Sequence, residues 1–537
     1  MTCFQFLLAV IITSFLSQPI NGEFRLTVVH TNDVHARFDQ VSKYGGPCRH
    51  NDVIAGQCFG GVARRMTALR HIRNTTDHVL LLDAGDQFQG TLWFFVHQGG
   101  ATGHFMNRLG YDAMALGNHE LDNGVSGLLP FLDQIDFPVL CSNINTSQEP
   151  EVAKRIRSSF VFRIQGQKVG IIGYITKDTK ELSDSGKLIF LDEIQSVREQ
   201  VQLLRSSGVN IIIALGHAGY DLDLKLASEV EGLDVIIGGH TDTFLYTGEP
   251  PSIEKPVDNY PKLVRQYSGH EVLVIHNYAF GKYLGRLDLT FDDGGEVLQY
   301  HGNPILLDNN IEEDPDILKE MDVWREPVLA VKDEVVGSTE VFLDGEKASC
   351  RLYECTMGNL LASAMLFSYT KGHSGQKAAH AAIINSGSVR ASLEIGLKVL
   401  YDLSRPDGKR VKDVCIQREA GSGKFERLSY DKIYRLVVTT FLIKGGDGYT
   451  MIKKHALKID ISESLDLEVT MDYLKSHSPV VVHREGRIIF VDEKDEFKWR
   501  CQPLSLGVMY SAGANLLSEM ISLSIISLLS SCLLLYT

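Results

Sequence analysis

The segment Leu26-Thr-Val-Val-His-Thr-Asn-Asp-Val-His35 joins an apolar run directly to side chains that bind metal ions. Its apolar, β-branched start is typical of a buried strand. Asp33 and His35 follow two positions apart, so an extended backbone would set both side chains on one side. Because open α/β sheets bind ligands beyond the carboxyl ends of their strands, the segment predicts a metal site at such an edge.

Five further apolar runs repeat this arrangement. Each run leads within a few residues to Asp, Asn, His or Cys: residues 79–82 to Asp83 and Asp86, residues 113–116 to Asn118 and His119, residues 139–140 to Cys141 and Asn143, residues 211–215 to His217, and residues 235–237 to His240. A single Asp-x-His or Gly-His pair is usually a surface pair, a helix cap or a core histidine. A series that converges on oxygen and imidazole donors indicates a metal-dependent hydrolase, and such mixed donors suit Zn²⁺, Mn²⁺ or Fe.

One residue of the series also indicates how many cations the site holds. Asp86 is the candidate to bridge two ions, since each oxygen of its carboxylate can bind one. Two divalent ions about 3.5–4 Å apart can activate a water and hold the entering and leaving oxygens of a phosphoryl displacement. The pattern therefore predicts two divalent cations and the hydrolysis of a phosphoester.

The composition is that of a globular protein. Of the 537 residues, 44% are apolar and 22% are charged, and the length predicts more than one domain. The formal net charge of -14 argues against nucleic acid as a partner, because phosphate backbones are bound by an excess of Lys and Arg.

Both ends of the chain are typical of targeting segments. An apolar run over residues 4–16, followed by Ser17-Gln-Pro-Ile-Asn-Gly22, predicts a signal peptide over residues 1–22. The last residues are apolar and lack a basic cluster, and the small residues Ser511-Ala-Gly513 precede them. This arrangement predicts a stalk (498–511), a GPI-signal tail (512–537), attachment at Ser511 and a location on the extracellular face of the plasma membrane. A plain transmembrane anchor is the alternative.

The cysteines fit a secreted chain. Nine are present, and Cys3 and Cys532 fall in the segments expected to be removed. Pairing is expected for the rest, and Cys48 with Cys58 and Cys350 with Cys355 would close small loops. Cys141, Cys415 and Cys501 form an odd set without an assigned partner. The sequons at Asn74 and Asn145 predict N-glycosylation.

The patterning divides the chain into two regions. Residues 23–308 alternate apolar strands with helical stretches, which predicts α/β layers. Residues 309–334 then show apolar positions at helical spacing and are expected to form a linker helix that ends at Pro327, with an ordinary surface helix as the alternative. Residues 335–497 form a second region of mixed α and β character.

The motifs resemble those of the calcineurin-like metallophosphoesterase superfamily. Asp33-Val-His35, Gly85-Asp86, Gly117-Asn-His-Glu120, Gly216-His217 and Gly239-His240 carry the resemblance. The wider stretches His30–His35, Leu116–Gly124 and Gly238–Tyr246 are similar to the 5′-nucleotidase family, and to its animal GPI-anchored ecto-enzymes in particular. The resemblance implies a four-layered α/β metallophosphatase domain followed by a smaller mixed α/β nucleotide-binding domain.

The resemblance also implies roles for the residues of the first region. Two zinc ions are expected, with Asp86 as the shared ligand and the remaining ligands divided as Asp33 and His35 on one ion and Asn118, His217 and His240 on the other. Asp242 stands where relatives carry an amide and is a further candidate ligand. His119 and Asp122 match the family's catalytic pair, in which His119 would stabilise charge on the phosphoryl group and Asp122 would orient the imidazole.

The second region carries the residues that the resemblance assigns to the nucleotide. Arg351 would contact phosphate or ribose, and Asn385 and Arg390 lie in a loop similar to a family loop rich in Gly. Phe441 would stack on the base, and Asp447 would accept hydrogen bonds from the ribose hydroxyls.

One departure from the family lies in the second region. Several dozen residues found in relatives are missing near residues 391–400, so the domain is truncated relative to the family. The missing stretch carries the second aromatic ring that sandwiches the base. Since base stacking is worth on the order of 1–3 kcal/mol per ring, its loss would weaken binding roughly tenfold to over a hundredfold.

The implied activity is hydrolysis of extracellular nucleoside 5′-monophosphates, typically AMP, to nucleoside and phosphate. Two alternatives stay open: an apyrase that cleaves ATP and ADP, and a catalytically impaired surface protein that binds nucleotides. Animal relatives are dimers through the second domain, so a homodimer is a further expectation.

Overall fold

The chain forms two compact units, Met1–Asp333 and Glu334–Thr537. The computed structural model describes residues 23–345 without a gap and, beyond them, residues 350, 353–372, 379–384, 393–395, 397–406, 409–417, 425–429, 431–443, 450–459, 466–484 and 486–491. The predicted signal peptide, stalk and anchor tail lie outside these ranges. Among the described residues, no helix has the length and apolar character needed to cross a membrane.

The first unit is built on two large sheets. Its strands are β1 (Phe24–Thr31), β2 (Val41–Ser42), β3 (Cys58–Phe59), β4 (Val79–Asp83), β5 (Ala113–Ala115), β6 (Val139–Leu140), β7 (Ile144–Asn145), β8 (Ile156–Arg157), β9 (Ser159–Ile164), β10 (Gln167–Ile175), β11 (Ile189–Phe190), β12 (Ile211–His217), β13 (Val235–Gly238), β14 (Lys262–Arg265), β15 (Glu271–Ile275), β16 (Tyr283–Phe291), β17 (Val297–Gly302) and β18 (Ile305–Leu306). An 8-stranded sheet has the order β17-β16-β1-β4-β5-β6-β8, with β18 on β16, and a 6-stranded sheet has the order β14-β15-β13-β12-β10-β9.

Helices cover the outer faces of both sheets. The α-helices of the first unit are His50–Ile54, Val62–Thr75, Leu92–His97, Gly99–Leu109, Gly124–Gln134, Pro150–Ala153, Thr179–Leu182, Glu193–Ser206, Tyr220–Glu229 and Pro315–Lys332, and His119–Leu121 is a 3-10 helix. Alternate residues of β1 lie in different cores: Val28 packs with the 6-stranded sheet, whereas Val29 packs with the helices of the other side. The order helices, sheet, sheet, helices gives the four layers, which confirms the predicted fold class.

The two sheets are in close contact at a point where a strand lacks a side chain. A Cβ on Gly173 of β10 would lie 2.2 Å from the backbone carbonyl of Leu140 in β6, so only Gly fits there. Ser142 N–H also donates to Gly173 O at 2.7 Å. This contact brings the carboxyl ends of the two sheets together.

The predicted linker helix packs on the first unit. Asp314 caps Pro315–Lys332 by accepting hydrogen bonds from the N–H groups of Asp316 and Ile317. Ile317, Met321 and Val328 are buried in the core beneath it. The expectation that Pro327 ends the helix was wrong, because the helix continues to Lys332. The carbonyl left without a donor is that of Val323, whose residue is 73% exposed, so water can satisfy it.

The second unit is smaller and mixed in class. Its described strands are β19 (Ala381–Ile384), β20 (Leu393–Ile395), β21 (Leu397–Asp402), β22 (Val411–Gln417), β23 (Phe425–Arg427), β24 (Leu436–Val438) and β25 (Ile488–Val491), and its described helices are Thr356–Gly372, Thr440–Ile443, Thr450–His455 and Asp466–His477. They form a 3-stranded sheet, β20-β19-β24, and a 4-stranded sheet, β23-β22-β21-β25. The deletion was predicted near residues 391–400, and the strands β20 and β21 lie at this place in the chain.

Two of the expected disulfides are present. Cys48 bonds to Cys58, and Cys350 bonds to Cys355. Of the unassigned cysteines, Cys415 is disulfide-bonded, whereas Cys141 has a free, buried thiol whose pKa burial raises to about 12.

Candidate active site

Five loops or strand ends meet at the carboxyl edge of the two sheets in the first unit. Asp33 follows β1, Asp86 follows β4 and Asn118 follows β5, all in the 8-stranded sheet. His217 is the last residue of β12, and His240 follows β13, both in the 6-stranded sheet. Both sheets therefore supply side chains to one place, as the sequence pattern predicts.

The ligand-type atoms in this place lie within reach of common cations. Three groups of side chains each have ligand atoms within 4.8 Å of one another, namely His35, Asp86 and His119; Asp86, His217 and His240; and Asp33, His35 and Asp242. Asp86 belongs to two of these groups, which fits its predicted role as the shared ligand. Asp242 belongs to the third group beside Asp33 and His35.

Backbone hydrogen bonds hold the loops against each other. The N–H of Asp33 donates to Gly85 O and the N–H of His35 donates to Asp86 O, both at 3.0 Å. Across the two sheets, the N–H of His240 donates to the Asp33 carboxylate at 3.0 and 3.1 Å. The positions of the side chains are therefore fixed by main-chain contacts before any ion binds.

Two histidines are oriented by backbone carbonyls. His35 Nδ1 lies 3.1 Å from Phe88 O, and His217 Nδ1 lies 2.7 Å from Ala84 O. A carbonyl can only accept, so Nδ1 carries a proton in each ring, which leaves Nε2 as the atom that could bind an ion. This is the arrangement in which metal-bound histidines are usually found.

Asn118 provides an independent test of whether the site fits a cation. Its side chain is fully buried, yet among the described residues neither the amide oxygen nor the amide nitrogen has a hydrogen-bond partner. Burying an unpaired amide is unfavourable by about 1–3 kcal/mol. A cation bound beside Asp86 would give the amide oxygen a partner, so the residues present fit a metal ion.

Two side chains of the site are already in forms that bind metal ions, whereas a cation would displace a proton from Asp33 and from His217. Burial alone would raise the pKa of Asp86, but the His217 and His119 imidazoles outweigh it and hold that pKa well below its usual range. Burial lowers the pKa of His35 to about 3, so this ring is neutral at pH 7. An ionised carboxylate and a neutral imidazole are the forms that bind metal ions. Burial raises the pKa of the Asp33 carboxyl well above its usual range, and, against burial, the neighbouring carboxylates of Asp86 and Asp33 raise the pKa of His217 to about 10.

The backbone is strained at the same positions. Asp33, His35, Asp86, His240 and Asp242 all have positive φ values, between 49° and 79°. Non-glycine residues rarely adopt this conformation, and it costs roughly 1–3 kcal/mol per residue, so it persists where the surrounding structure enforces it. Such clustering of strain is typical of functional sites.

Glu120 joins two of the loops and was not predicted as a site residue. Its buried carboxylate accepts hydrogen bonds from four backbone N–H groups, those of Asp86, Gln87, Phe88 and Gly117, at 2.8 to 3.0 Å. A Cβ on Gly117 would lie 2.3 Å from Asp86 N, so Gly is required for this contact. The motif Gly117-Asn-His-Glu120 contains Glu120, and its position there is the signal that could have identified it.

The predicted catalytic pair is formed. His119 Nδ1 lies 2.6 Å from Asp122 Oδ2, and His119 Nε2 lies 3.9 Å from Asp86 Oδ2. The His119 ring is partly exposed and packs edge-on against His35, with ring centroids 5.2 Å apart. The pair thus stands beside the candidate metal ligands with one edge open to solvent.

The predicted nucleotide residues are not described in the same detail. Arg351, Asn385, Arg390 and Asp447 lie outside the described residues, and so does the side chain of Phe441. The backbone of Phe441 is part of the short helix Thr440–Ile443 in the second unit. Their assignment to the nucleotide stays a prediction.

Two family models match the chain. Residues 26–243 match the calcineurin-like phosphoesterase model, and residues 393–454 match the model of the 5′-nucleotidase C-terminal domain. The first range contains every metal-ligand candidate from Asp33 to Asp242.

Several curated proteins are similar over most of their length. The 5′-nucleotidases of Bos taurus and Homo sapiens are each 39% identical to this chain, over 88% of it and 92% of theirs. The snake venom 5′-nucleotidase of Gloydius brevicauda is 39% identical over 87% of this chain and 89% of its own.

The alignment with the bovine protein also leaves positions of that protein without a counterpart in this chain. It spans 536 positions, whereas 88% of the 537 residues here is about 473, so about 60 aligned positions have no counterpart in this chain. The predicted deletion near residues 391–400 would account for a gap of this size.

Solved structures show the same fold. The 5′-nucleotidase precursor from Thermus thermophilus is 34% identical, with a TM-score of 0.67, over 87% of this chain and 99% of that one. The NAD nucleotidase of Haemophilus influenzae is 19% identical, with a TM-score of 0.63, over 88% and 99%. The second similarity concerns the fold alone.

Proposed function

The chain belongs to the 5′-nucleotidase family of calcineurin-like phosphoesterases, and from this membership we propose that it hydrolyses extracellular AMP to adenosine and phosphate. The observation that carries the proposal is the convergence of Asp86, His217 and His240 from two sheets, together with the buried amide of Asn118, which has no hydrogen-bond partner among the described residues. The partly exposed pair His119 and Asp122 beside these donors fits a hydrolytic site, because a group that acts on the substrate must be able to reach it.

Two divalent ions, zinc in our proposal, would be held by these side chains. Asp86 would be common to both ions, with Asp33 and His35 completing one set and Asn118, His217 and His240 completing the other. Divalent ions bound in such a pair activate water and neutralise charge on phosphoryl oxygens. Oxygen and imidazole donors in this proportion suit zinc.

His119 would act on the phosphoryl group. Its Nδ1 is engaged by Asp122, and its Nε2 lies 3.9 Å from the carboxylate of Asp86. A donor at this position could approach the oxygens of a phosphate held by the proposed ions, and its effect would grow as charge builds on those oxygens. The carboxylate of Asp122 would keep the ring oriented.

The nucleoside would be bound by the second unit. We assign Arg351, Asn385 and Arg390 to the phosphate and ribose side, Phe441 to the base and Asp447 to the ribose hydroxyls. With one stacking ring instead of two, the second unit would bind the base more weakly than relatives that carry both rings.

Phosphate release from AMP, ADP, ATP and p-nitrophenyl phosphate by the purified full chain tests the proposal, with His119→Ala as the control. We expect release from AMP and, more slowly, from the aryl phosphate, with both reduced to a small residual rate in the variant. Release from ATP and ADP would instead favour the apyrase alternative. Release from the aryl phosphate alone would show an intact metal site with an impaired nucleotide site.

We also propose that a GPI anchor holds the protein on the extracellular face of the plasma membrane. The small residues Ser511-Ala-Gly513 before an apolar tail without basic residues support it. Phosphatidylinositol-specific phospholipase C should release the protein from intact expressing cells, and a Ser511→Pro variant should reach the surface less. Retention after the phospholipase treatment would favour a transmembrane anchor.

A further inference from the structure

The carboxylate of Asp122 has more partners than His119. Its Oδ2 accepts from Gln89 Nε2 at 3.1 Å as well as contacting His119 Nδ1 at 2.6 Å. Its Oδ1 accepts from the hydroxyl of Ser183 at 3.0 Å. Both oxygens are therefore engaged, and the plane of the carboxyl group is defined by side chains that come from different loops.

Ser183 reaches Asp122 from the other sheet. It follows the helix Thr179–Leu182, which begins soon after β10 of the 6-stranded sheet, whereas Asp122 follows β5 of the 8-stranded sheet. Ser183 is only 3% exposed, and its hydroxyl lies 2.7 Å from Asn118 O. This one hydroxyl thus contacts the main chain of a candidate metal ligand and the side chain of the catalytic pair.

The segment that carries Ser183 is held firmly. Thr176 N–H donates to His217 O at 2.8 Å, and Thr179 Oγ1 donates to Thr176 O at 2.7 Å. Ser183 N–H donates to Thr179 O at 3.1 Å, which closes the turn. A chain of hydrogen bonds therefore runs from His217 to Ser183, and the hydroxyl is set in place by backbone that also carries a candidate ligand.

We propose that Ser183 is a positioning residue that fixes the rotation of the Asp122 carboxyl group and, through it, the His119 ring. A carboxylate with only one engaged oxygen can rotate about its Cβ–Cγ bond, and the oxygen that faces His119 Nδ1 is then no longer fixed. The hydroxyl has a single proton, which it shares between Asn118 O and Asp122 Oδ1. This inference rests on the proposed function, in which His119 acts on the phosphoryl group.

A double-mutant cycle measures whether Ser183 acts through His119. We expect Ser183→Ala to lower kcat for AMP roughly tenfold to a hundredfold, the effect of losing a hydrogen bond to a charged group, with KM and metal content unchanged. In the His119→Ala background the same substitution should have no further effect. Ser183→Thr, which keeps the hydroxyl, should recover most of the activity.

Ser185→Ala is the matched control. Ser185 lies in the same loop and is 4% exposed, and no hydrogen bond joins its side chain to Asp122 or His119 in the described part of the chain. It should leave kcat unchanged. The proposal would be overturned if Ser183→Ala lowered kcat by the same factor with and without the His119 side chain. A loss of bound metal in parallel with kcat would also overturn it. In either case the role of Ser183 would be purely structural.

A measurement without turnover separates this inference from the proposed function. The short His119–Asp122 contact should give a low-field proton NMR signal for Nδ1–H that disappears in His119→Ala. The signal should shift or broaden in Ser183→Ala and stay in Ser185→Ala. If the wild-type chain does not release phosphate from AMP, the proposed function fails, whereas the signal still decides the role of Ser183. An unchanged signal in Ser183→Ala would overturn that role.

Discussion

His119 Nδ1 lies 2.6 Å from Asp122 Oδ2, and the two residues are three positions apart in the chain. The 3-10 helix His119–Leu121 sets this spacing locally. The metal-ligand candidates, in contrast, come from distant positions: His240 and Asp33, which share a hydrogen bond, are 207 residues apart. The contact between His119 and Asp122 therefore depends on one turn, whereas the set of candidate metal ligands depends on the fold of the whole first unit. Substitutions should affect the two features independently.

Replacing Asn118 by Leu should affect metal binding and folding in opposite directions. The amide is buried without a partner among the described residues, so a similar apolar side chain removes an unfavourable burial of about 1–3 kcal/mol. In the presence of a chelator, the Asn118→Leu variant should therefore unfold at the same denaturant concentration as the wild type or at a higher one. Its metal content by mass spectrometry should be lower. If the metal-free variant were less stable than the metal-free wild type, the Asn118 amide would have to make a favourable hydrogen bond in the folded protein.

Replacing Glu120 by Gln should destabilise the fold. The carboxylate accepts four backbone N–H groups, and a Gln amide can accept only on its oxygen, so two buried donors would face an NH₂ group. At about 1–3 kcal/mol for each unpaired donor, the free energy of unfolding should fall by about 2–6 kcal/mol. Denaturant titration measures the change. Glu229→Gln at an exposed helix end is the control and should have little effect.

Removing metal should lower the melting temperature. In the metal-free state the carboxylates of Asp33, Asp86 and Asp242 lie close together without a cation. An ion present at about 100 times its Kd stabilises the folded state by about 2.7 kcal/mol. Calorimetry with and without a chelator measures this difference. Asp86→Asn should show a much smaller effect of the chelator, and an equal effect would place the bound ion elsewhere.

Asp234 should make the stability depend on pH. It lies just before β13, and burial raises the pKa of its carboxyl to about 7, against the opposing contribution of a hydrogen bond from Ile212 N–H. A raised folded-state pKa means that the folded protein holds this proton more tightly than the unfolded chain does. Stability is then lost as pH rises from about 4 to about 7, by up to about 4 kcal/mol.

The matching experiment compares Asp234→Asn with the wild type at pH 5 and pH 8. The variant should be similar at pH 5 and more stable at pH 8, because Asn keeps the acceptor for Ile212 N–H without a charge. Arg205 and His270 lie 4.0 and 3.8 Å from the carboxyl oxygens, so Arg205→Gln should reduce stability at pH 8 more than at pH 5. A variant without a pH-dependent gain would show that Asp234 is ionised in the folded protein at low pH.

Local sequence predicted the fold class and the side chains at the sheet edge. Apolar runs such as residues 79–82 identify buried strands, and parallel strands place the residues after them at one edge, so order along the chain is enough to collect Asp33 and Asp86. That His217 joins them depends on the contact between the two sheets, which no local pattern predicts.

The supporting residues could not be predicted in this way. Glu120 binds N–H groups of Gln87 and Phe88 more than 30 positions away, and Ser183 meets Asp122 across two sheets, so neither contact has a local pattern. The predicted end of the linker helix was wrong because Pro usually stops a helix. A helix tolerates an interior Pro such as Pro327 where the unpaired carbonyl faces water.

Because the candidate ligands are divided between two sheets, they are synthesised at different stages of translation. A nascent chain that has emerged to residue 118 carries Asp33, His35, Asp86 and Asn118, but β1 still lacks its partner strand β16 (Tyr283–Phe291), and the histidines of the other sheet have not been made. An ion met at that stage finds only part of its ligands on an unfinished sheet. The complete set of candidate ligands therefore exists only after nearly the whole first unit has been synthesised.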